Sequence, residues 1–572
     1  MAETLLSPGV LTRENDQSFI QGQPVERGAA IIGPAVKGPV EIPTLVTSFS
    51  EYTTIFGGEI ESGSNKYSYF TSISANNYFQ NGGSSLLVTR VTSGSFTPAT
   101  GSPVPAIDGG DSPFVVETLS EGIIMNNDST ETSGALVSGS KDNVRYEIPS
   151  VNTASGTFSL LIRRGDDNNT QKIVLESYNN LSLDPLSPNY IAKTIGDITP
   201  QLRNDGTDYY IQETGSFLNI SKYVRVKSVG RPTYNYFDNN GIAKNQYTGS
   251  LPATGSGSFG TAVGDNIPTG RAANFYHNIN DTDTQGLIAT DYTDAISLMS
   301  NTDEYKYNIL TAPGLVNDNA THAGRITSLV NNTIARGDSI AVIDLVNYGT
   351  QINTVINEAS GFDSSYAATY WPWLQTIDPN TGDYVFVPAS TMIPGVYSFT
   401  DASSEPWFAP AGITRGGLGQ VVRAERKLTA GNRDALYEAN INPIATFPQS
   451  GVVVFGQKTL QKKSSALDRI NVRRLLINLK SFIGQISDNL VFEQNTTATR
   501  NNFLTQVNPF LESVQQRQGL FAFKVVMDDT NNTPDTIDRN ELVGQIFLQP
   551  TRTAEFIILD FNVLPTGATF PG

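Results

Sequence analysis

The chain has 572 residues, a formal net charge of −17, no cysteine and two histidines, His277 and His322, which excludes disulfides, zinc–thiolate sites and cysteine nucleophiles and removes most histidine-based metal and acid–base chemistry. The acid excess argues against general nucleic-acid binding and against docking on anionic lipid. With 38% hydrophobic and 16% charged residues the composition is that of a folded protein, and the length predicts three or four domains, because single cores stop growing near roughly 250–300 residues.

The opening MAETLLSPGV carries an acid where a signal peptide has positive charge, and GVVVFG and FIILDF are too short to span a bilayer. The expectation is synthesis in the cytoplasm. Residues 1–22 read as an extended N-terminal arm. Residues 23–91 change character: buried-strand candidates at Ala29–Ile32, Pro43–Thr47 and Ser85–Val91 surround a helix start, with Ser48 as N-cap and Glu51 completing a capping box. Residues 92–265 are rich in Gly, Ser, Thr, Asn and Asp, with strands at Thr157–Arg163, Lys172–Ser177 and Tyr223–Lys227, a pattern that predicts a β-sandwich.

Within a domain expected over 266–440, residues 285–440 alternate strands and helices: Tyr307–Ala312, a helix from about Ala323 to Arg336, then SIAVIDL at Ser339–Leu345. That order predicts βαβ units and a mainly parallel sheet. Residues 441–545 give a strand at Val452–Phe455, a long helix from about Ser465 to Ile486, with an apolar stripe of Val472, Leu475, Leu476, Leu479, Phe482, Ile483 and Ile486, and a second helix. Residues 546–572 return to strand character. The fold class is therefore α/β and β multidomain.

Several blocks then occur together in order: SPGVLTREND, AAIIGPAVKGP, LVTSFSEYTTIFG, SLDPLSPNY, YAATYWPWLQ, VPASTMIPGVYSFTD, FAPAG, LTAGNRDALYEANINPI, GVVVFGQKTL, DRINVRRLLINLKSFI and AEFIILDF. Running from residue 7 to residue 561, this succession resembles the contractile phage tail sheath family. The stretches around 95–140 and 230–285 match nothing in the pattern and read as variable surface elaborations. The resemblance implies a core α/β domain built from N- and C-terminal segments, an inserted β-sandwich and a subtilisin-like α/β middle domain. It implies a structural subunit without enzymatic activity or cofactor, a homo-oligomer forming a helical sheath around a tail tube protein. That sheath would meet baseplate and tail terminator proteins and contract to drive the tube through the host envelope, as part of the virion. A phage-derived contractile injection system is the alternative, and a tail-associated glycan-degrading enzyme a more distant one. The resemblance also implies that terminal strands pair with a sheet in adjacent subunits, with Phe556, Ile557, Ile558, Leu559 and Phe561 as the linking strand.

One segment of this acidic chain is basic. Lys458, Lys462, Lys463, Arg469, Arg473, Arg474 and Lys480 face a single acid, Asp468. If the helix reached back to 462, Lys462, Arg469, Arg473 and Lys480 would share one face, a candidate contact for an acidic tube wall, with an ordinary solvated face as the plain alternative.

Other signals are weaker. His322 and Asp344 lie near each other in sequence, but no nucleophile turn accompanies them, and fold alone does not carry activity. GSGSFG matches G-x-G-x-x-G at Gly255, Gly257 and Gly260, but lies in a Gly/Ser/Thr-rich loop. Asp281, Asp283, Gln285 and Gly286 imitate a calcium loop whose twelfth position is Tyr292. Asp166–Asp167 and Asp528–Asp529 read as turns rather than glycosidase carboxylates, and Trp371, Trp373 and Trp407, beside prolines, as core rather than sugar platforms.

Overall fold

The computed structural model describes residues 28–555 apart from 63–64, 128–129, 132, 207 and 266–278. The expected arm at 1–22, His277 and the proposed linking strand Phe556–Phe561 lie outside the described residues.

The molecule is organised around one eight-stranded sheet. Its strands are β1 (Ala29–Gly33), β2 (Thr44–Val46), β3 (Leu86–Arg90), β4 (Ile309–Val316), β5 (Ile340–Asp344), β6 (Ala367–Trp371), β7 (Asn442–Phe447) and β8 (Gly451–Val454). They lie in the order β2-β3-β1-β4-β5-β6-β7-β8. The inner six are parallel, and β2 and β8 close the two edges antiparallel. β1, β4, β5 and β6 are buried along their whole length, which is why they read as unbroken apolar runs and not as alternating ones.

Successive side chains point to opposite faces and build two cores. Ile31, Ile309, Val342 and Tyr370 face α1 (Phe70–Gln80) and α3 (Ile393–Ser403); Ile32, Leu310, Ile343 and Trp371 face α2 (Ala320–Arg336). Full burial of an aliphatic side chain such as Ile31 contributes about 1.5–3 kcal/mol. The parallel sheet expected for 266–440 is thus present, and it is larger than expected. Strands from 23–91 and 441–545 join it, so the anticipated boundaries at 266 and 440 run through one sheet.

Local signals act much as the sequence implies. Ser48 Oγ accepts from Glu51 N at 3.1 Å and caps the helix Phe49–Phe56. The Glu51 carboxylate, however, reaches back to Thr47 N at 2.9 Å, so the reciprocal bond falls one residue early.

Between β3 and β4 the chain makes a separate antiparallel sheet. Its strands run Val174–Ser182, Thr157–Arg164, Val144–Ile148, Gly255–Gly260, Pro98–Gly101, Phe114–Glu121 and Val224–Val229, with Val151–Asn152 beside the second of them. Instead of two separate sandwich layers it is one continuous path folded over its own core, with Phe114 stacked on Phe158 at 5.3 Å between ring centroids. GSGSFG is a strand here, not a loop. A Cβ on Gly257 would come within 2.1 Å of the Tyr146 ring, so the glycine serves close packing rather than phosphate binding.

This insert is tied to the main body by buried charge. Lys37 Nζ donates to Asp142 O at 3.1 Å, and Glu59 accepts from both Lys66 and Lys141. A hairpin of Thr199–Asn204 and Tyr209–Thr214 lays Leu202, Tyr209 and Ile211 against the second core.

Beyond β8 a C-terminal lobe follows. A single 3-10 turn at Ala466–Asp468 precedes α4 (Ile470–Asp488), so the helix starts five residues later than expected. Leu475, Leu479 and Ile486 of its stripe pack on α5 (Thr497–Gln516), while Ile470 and Ile477 enter the core of the main sheet. The lobe ends in β9 (Leu520–Val526) and β10 (Gln545–Pro550).

Candidate assembly site

β9 and β10 form a two-stranded antiparallel sheet, paired from Leu520↔Pro550 to Val526↔Gln545. Among the described residues it takes no third strand. One face, through Phe523, Ile546 and Leu548, packs on the α5 cluster. The other exposes aromatic side chains: Phe521 is 76% and Phe547 56% accessible. A short sheet with both outer edges unpaired is a template for an added strand.

Just past β10 the chain is fastened to the body. Glu555 accepts from Arg469 Nε at 2.7 Å and Arg469 Nη2 at 3.0 Å, from Tyr437 Oη at 2.7 Å and from Gln457 Nε2 at 3.1 Å. Burial alone would raise the Glu555 carboxyl, but the bonds from Arg469, Tyr437 and Gln457 outweigh it and hold the group below the ordinary glutamate range. Sequence reasoning missed Glu555, Tyr437 and Gln457. The signal was there: Glu555 is a lone acid at the root of AEFIILDF, and the basic segment 458–480 needed an acidic partner.

The structure redistributes the expected tube-contact face. Lys462 sits eight residues before α4, with Nζ on Ser360 O at 2.7 Å. Arg469, ahead of the first turn, is taken by Glu555 and Asp468. Arg473 is 4% exposed and lies over the Tyr366 ring at 3.9 Å, so it faces the interior and not a partner. Lys480 is exposed, its Nζ 3.2 Å from Tyr366 Oη. The four do not form one ridge, because the helix does not reach back to 462; Lys462 and Lys480 are the exposed members.

The other candidates have structural roles. Asp344 is paired with Ser390, Oγ to Oδ2 at 2.5 Å and N to Oδ1 at 3.1 Å, whereas His322 Nδ1 accepts from Val316 N at 3.2 Å. The geometry therefore brings Asp344 to Ser390 and not to His322. Burial pushes the Asp344 carboxyl up to about 7, against both Ser390 bonds. The native state then keeps a proton that the unfolded chain loses near pH 4, so stability falls as pH rises between about 4 and 7, at about 1.4 kcal/mol per unit, and levels off above. Asp344→Asn is expected to remove that slope, read by urea unfolding at pH 4.5, 6 and 8; an unchanged slope would assign it to another group.

Asp281 accepts from Thr321 N at 3.1 Å, and Asp283 from Gly286 N at 3.0 Å. Among the described residues no group of three or more His, Cys, Asp or Glu could hold a metal. Asp167 is not a solvated turn acid: it is buried against Arg163. Asp528 caps its own turn through Thr530 N at 2.9 Å, and Asp529 accepts from Arg500 at 2.7 Å. Trp371, Trp373 and Trp407 are all buried. No helix among the described residues is long and apolar enough to cross a membrane.

Two family models match the chain: the phage tail sheath protein central domain over residues 285–460 and the phage tail sheath C-terminal domain over residues 462–564. The tail sheath protein of Vibrio phage KVP40 is 40% identical over 32% of this chain and 28% of its own length. That of Enterobacteria phage T4 is 36% identical over 40% of this chain and 35% of its own length. The chain thus spans about a third of the length of these relatives. The crystal structure of the sheath tail protein of Listeria innocua aligns over 92% of this chain and 95% of its own with a TM-score of 0.52 at 10% identity, a likeness of fold.

Proposed function

We propose that the whole chain, whose residues 285–460 and 462–564 match the phage tail sheath family models, is a structural, non-enzymatic subunit of a contractile tail sheath. Copies assemble as a helix around a tail tube, between baseplate and terminator proteins in the virion, and contract to drive the tube through the host envelope. The observation that carries this reading is the two-stranded sheet of β9 and β10, whose strands pair only with each other among the described residues and present Phe521 and Phe547 outward.

A strand supplied by a neighbouring copy, Phe556, Ile557, Ile558, Leu559 and Phe561, would extend this sheet. Contacts of that kind run head to tail and do not close, and so generate a helix. In domain terms, the doubly covered parallel sheet corresponds to the subtilisin-like middle domain. The insert corresponds to the β-sandwich domain, and the C-terminal lobe to the part that links copies. Lys462, Lys463 and Lys480 are the exposed cations of the basic segment available to an acidic tube wall.

The test is negative-stain electron microscopy of the full chain, alone at high concentration and on preformed tail tubes. Hollow helical tubes wide enough to enclose an inner tube are expected. A chain that stays monomeric even on tail tubes would overturn the reading.

A further inference from the structure

We propose that Glu555, held by Arg469, Tyr437 and Gln457, is a mechanical anchor that passes tension on the chain's last segment into the main body and spares the β9–β10 hairpin. The proposal rests on the linking role given above to residues 556–561.

The geometry decides where a pull would act. β10 ends at Pro550, opposite Leu520, and Thr551 adds a bond from its N to Gly519 O at 3.2 Å. Tension arriving at residue 551 would open this ladder one pair at a time from the Leu520↔Pro550 end. Each step then loads only one residue pair of the ladder, which carries at most two backbone bonds, while the other pairs share none of the load. Glu555 lies between that ladder and everything beyond it, and its partners do not belong to the hairpin. Tyr437 sits on the helix Ala430–Glu438, which packs on β7; Gln457 follows β8; Arg469 adjoins α4, whose Ile470 lies in the main core.

The contact is built to hold. The Arg469–Glu555 pair is two-pronged, and the side chains are 25% and 18% exposed, so salt screens them less than a surface pair. Gln457 also donates to Thr553 at 2.5 Å, which braces the approach to the anchor. A chain that merely ended in a loose tail would have no need of four convergent donor bonds at its root.

The test is force spectroscopy on the full chain. It has no cysteine, so Asn353→Cys and Gly572→Cys give unique handles. In the parent the first rupture should release the segment from Leu520 to Glu555, about 120 Å of extended chain. In Glu555→Gln, which keeps the shape and loses the charge, the lifetime of that state at fixed force should shorten at least about tenfold. The double variant Arg469→Glu with Glu555→Arg should recover most of it, while tryptophan fluorescence and melting without load stay as in the parent. A Glu555→Gln lifetime within a factor of about two of the parent's overturns the anchor, and a swap no better than either single variant overturns its ionic basis. The linking role would fail separately, by normal sheaths from a chain lacking residues 556–572, a result that leaves the pulling measurement untouched.

Discussion

Removal of residues 556–572 is expected to leave a chain that folds as the parent does and loses polymerisation by about three orders of magnitude or more. The deletion keeps β9, β10 and the Glu555 contacts, so the lobe retains every described bond. What it removes is the strand proposed to pass to a neighbour. A six-residue strand added to an open edge makes at least about four backbone hydrogen bonds, each contributing about 1 kcal/mol net, before its apolar side chains are counted. Losing about 4 kcal/mol per contact is close to a thousandfold in affinity. Sedimentation velocity and electron microscopy would report the loss, with circular dichroism as the check on folding. Sheaths of ordinary length from the shortened chain would remove the strand from the assembly mechanism.

Asp167→Ala is expected to destabilise the insert by about 3–5 kcal/mol while leaving the main body unaffected. Arg163 is fully buried and donates to both Asp167 oxygens, at 2.7 and 2.8 Å, and to Glu147 at 3.0 Å; Arg145, also buried, approaches Asp167 at 3.6 Å. Loss of the Asp167 carboxylate leaves two guanidinium groups out of water with Glu147 as their counter-charge and otherwise only neutral acceptors, Gly134 O, Ser256 Oγ and Asn168 O. All three tryptophans lie outside the insert, at 371, 373 and 407. A urea titration should therefore separate the effects: the circular dichroism transition shifts to lower denaturant while the tryptophan transition stays in place. Coincident shifts in both signals would mean that insert and body unfold as one unit.

How much of this was legible depended on how far the partner lay along the chain. The parallel strands were readable because burial on both faces demands continuous runs such as SIAVIDL, and Ser48 as an N-cap because its bond is three residues away. The sheet order was not, since nothing in Ala29–Ile32 states that it pairs with Ile309. Asp167 failed for a different reason, since Arg163 lies only four residues upstream and what stayed hidden was the burial of both side chains. An acid pair followed by asparagines has the composition of a turn, and only the fold reveals that Arg163, and Arg145 on the neighbouring strand, are buried around it. Arg473 looked like one step of a basic ridge until Tyr366, 107 residues upstream, covered it; the local spacing was correct and the solvent was not there. The candidate assembly site was half legible: the strand character read from residue 546 holds for β10, up to Pro550, whereas β9 was not read as a strand. Its anchor needed Tyr437, Gln457 and Arg469 to be brought together from three separate segments.

The pairing of β1 with β4 also sets a timetable. Ala29 and Ile309 are neighbours in the sheet, and at about 5–20 residues per second the ribosome needs on the order of tens of seconds to deliver the second after the first. Throughout that interval β1 and β3 carry apolar faces that no described element made so far can cover on both sides, so the nascent chain is at its most vulnerable to aggregation before the insert is complete. The hairpin of β9 and β10 is translated after every strand of the main sheet. The edge proposed to recruit neighbours would thus become available only when the body behind it can already close.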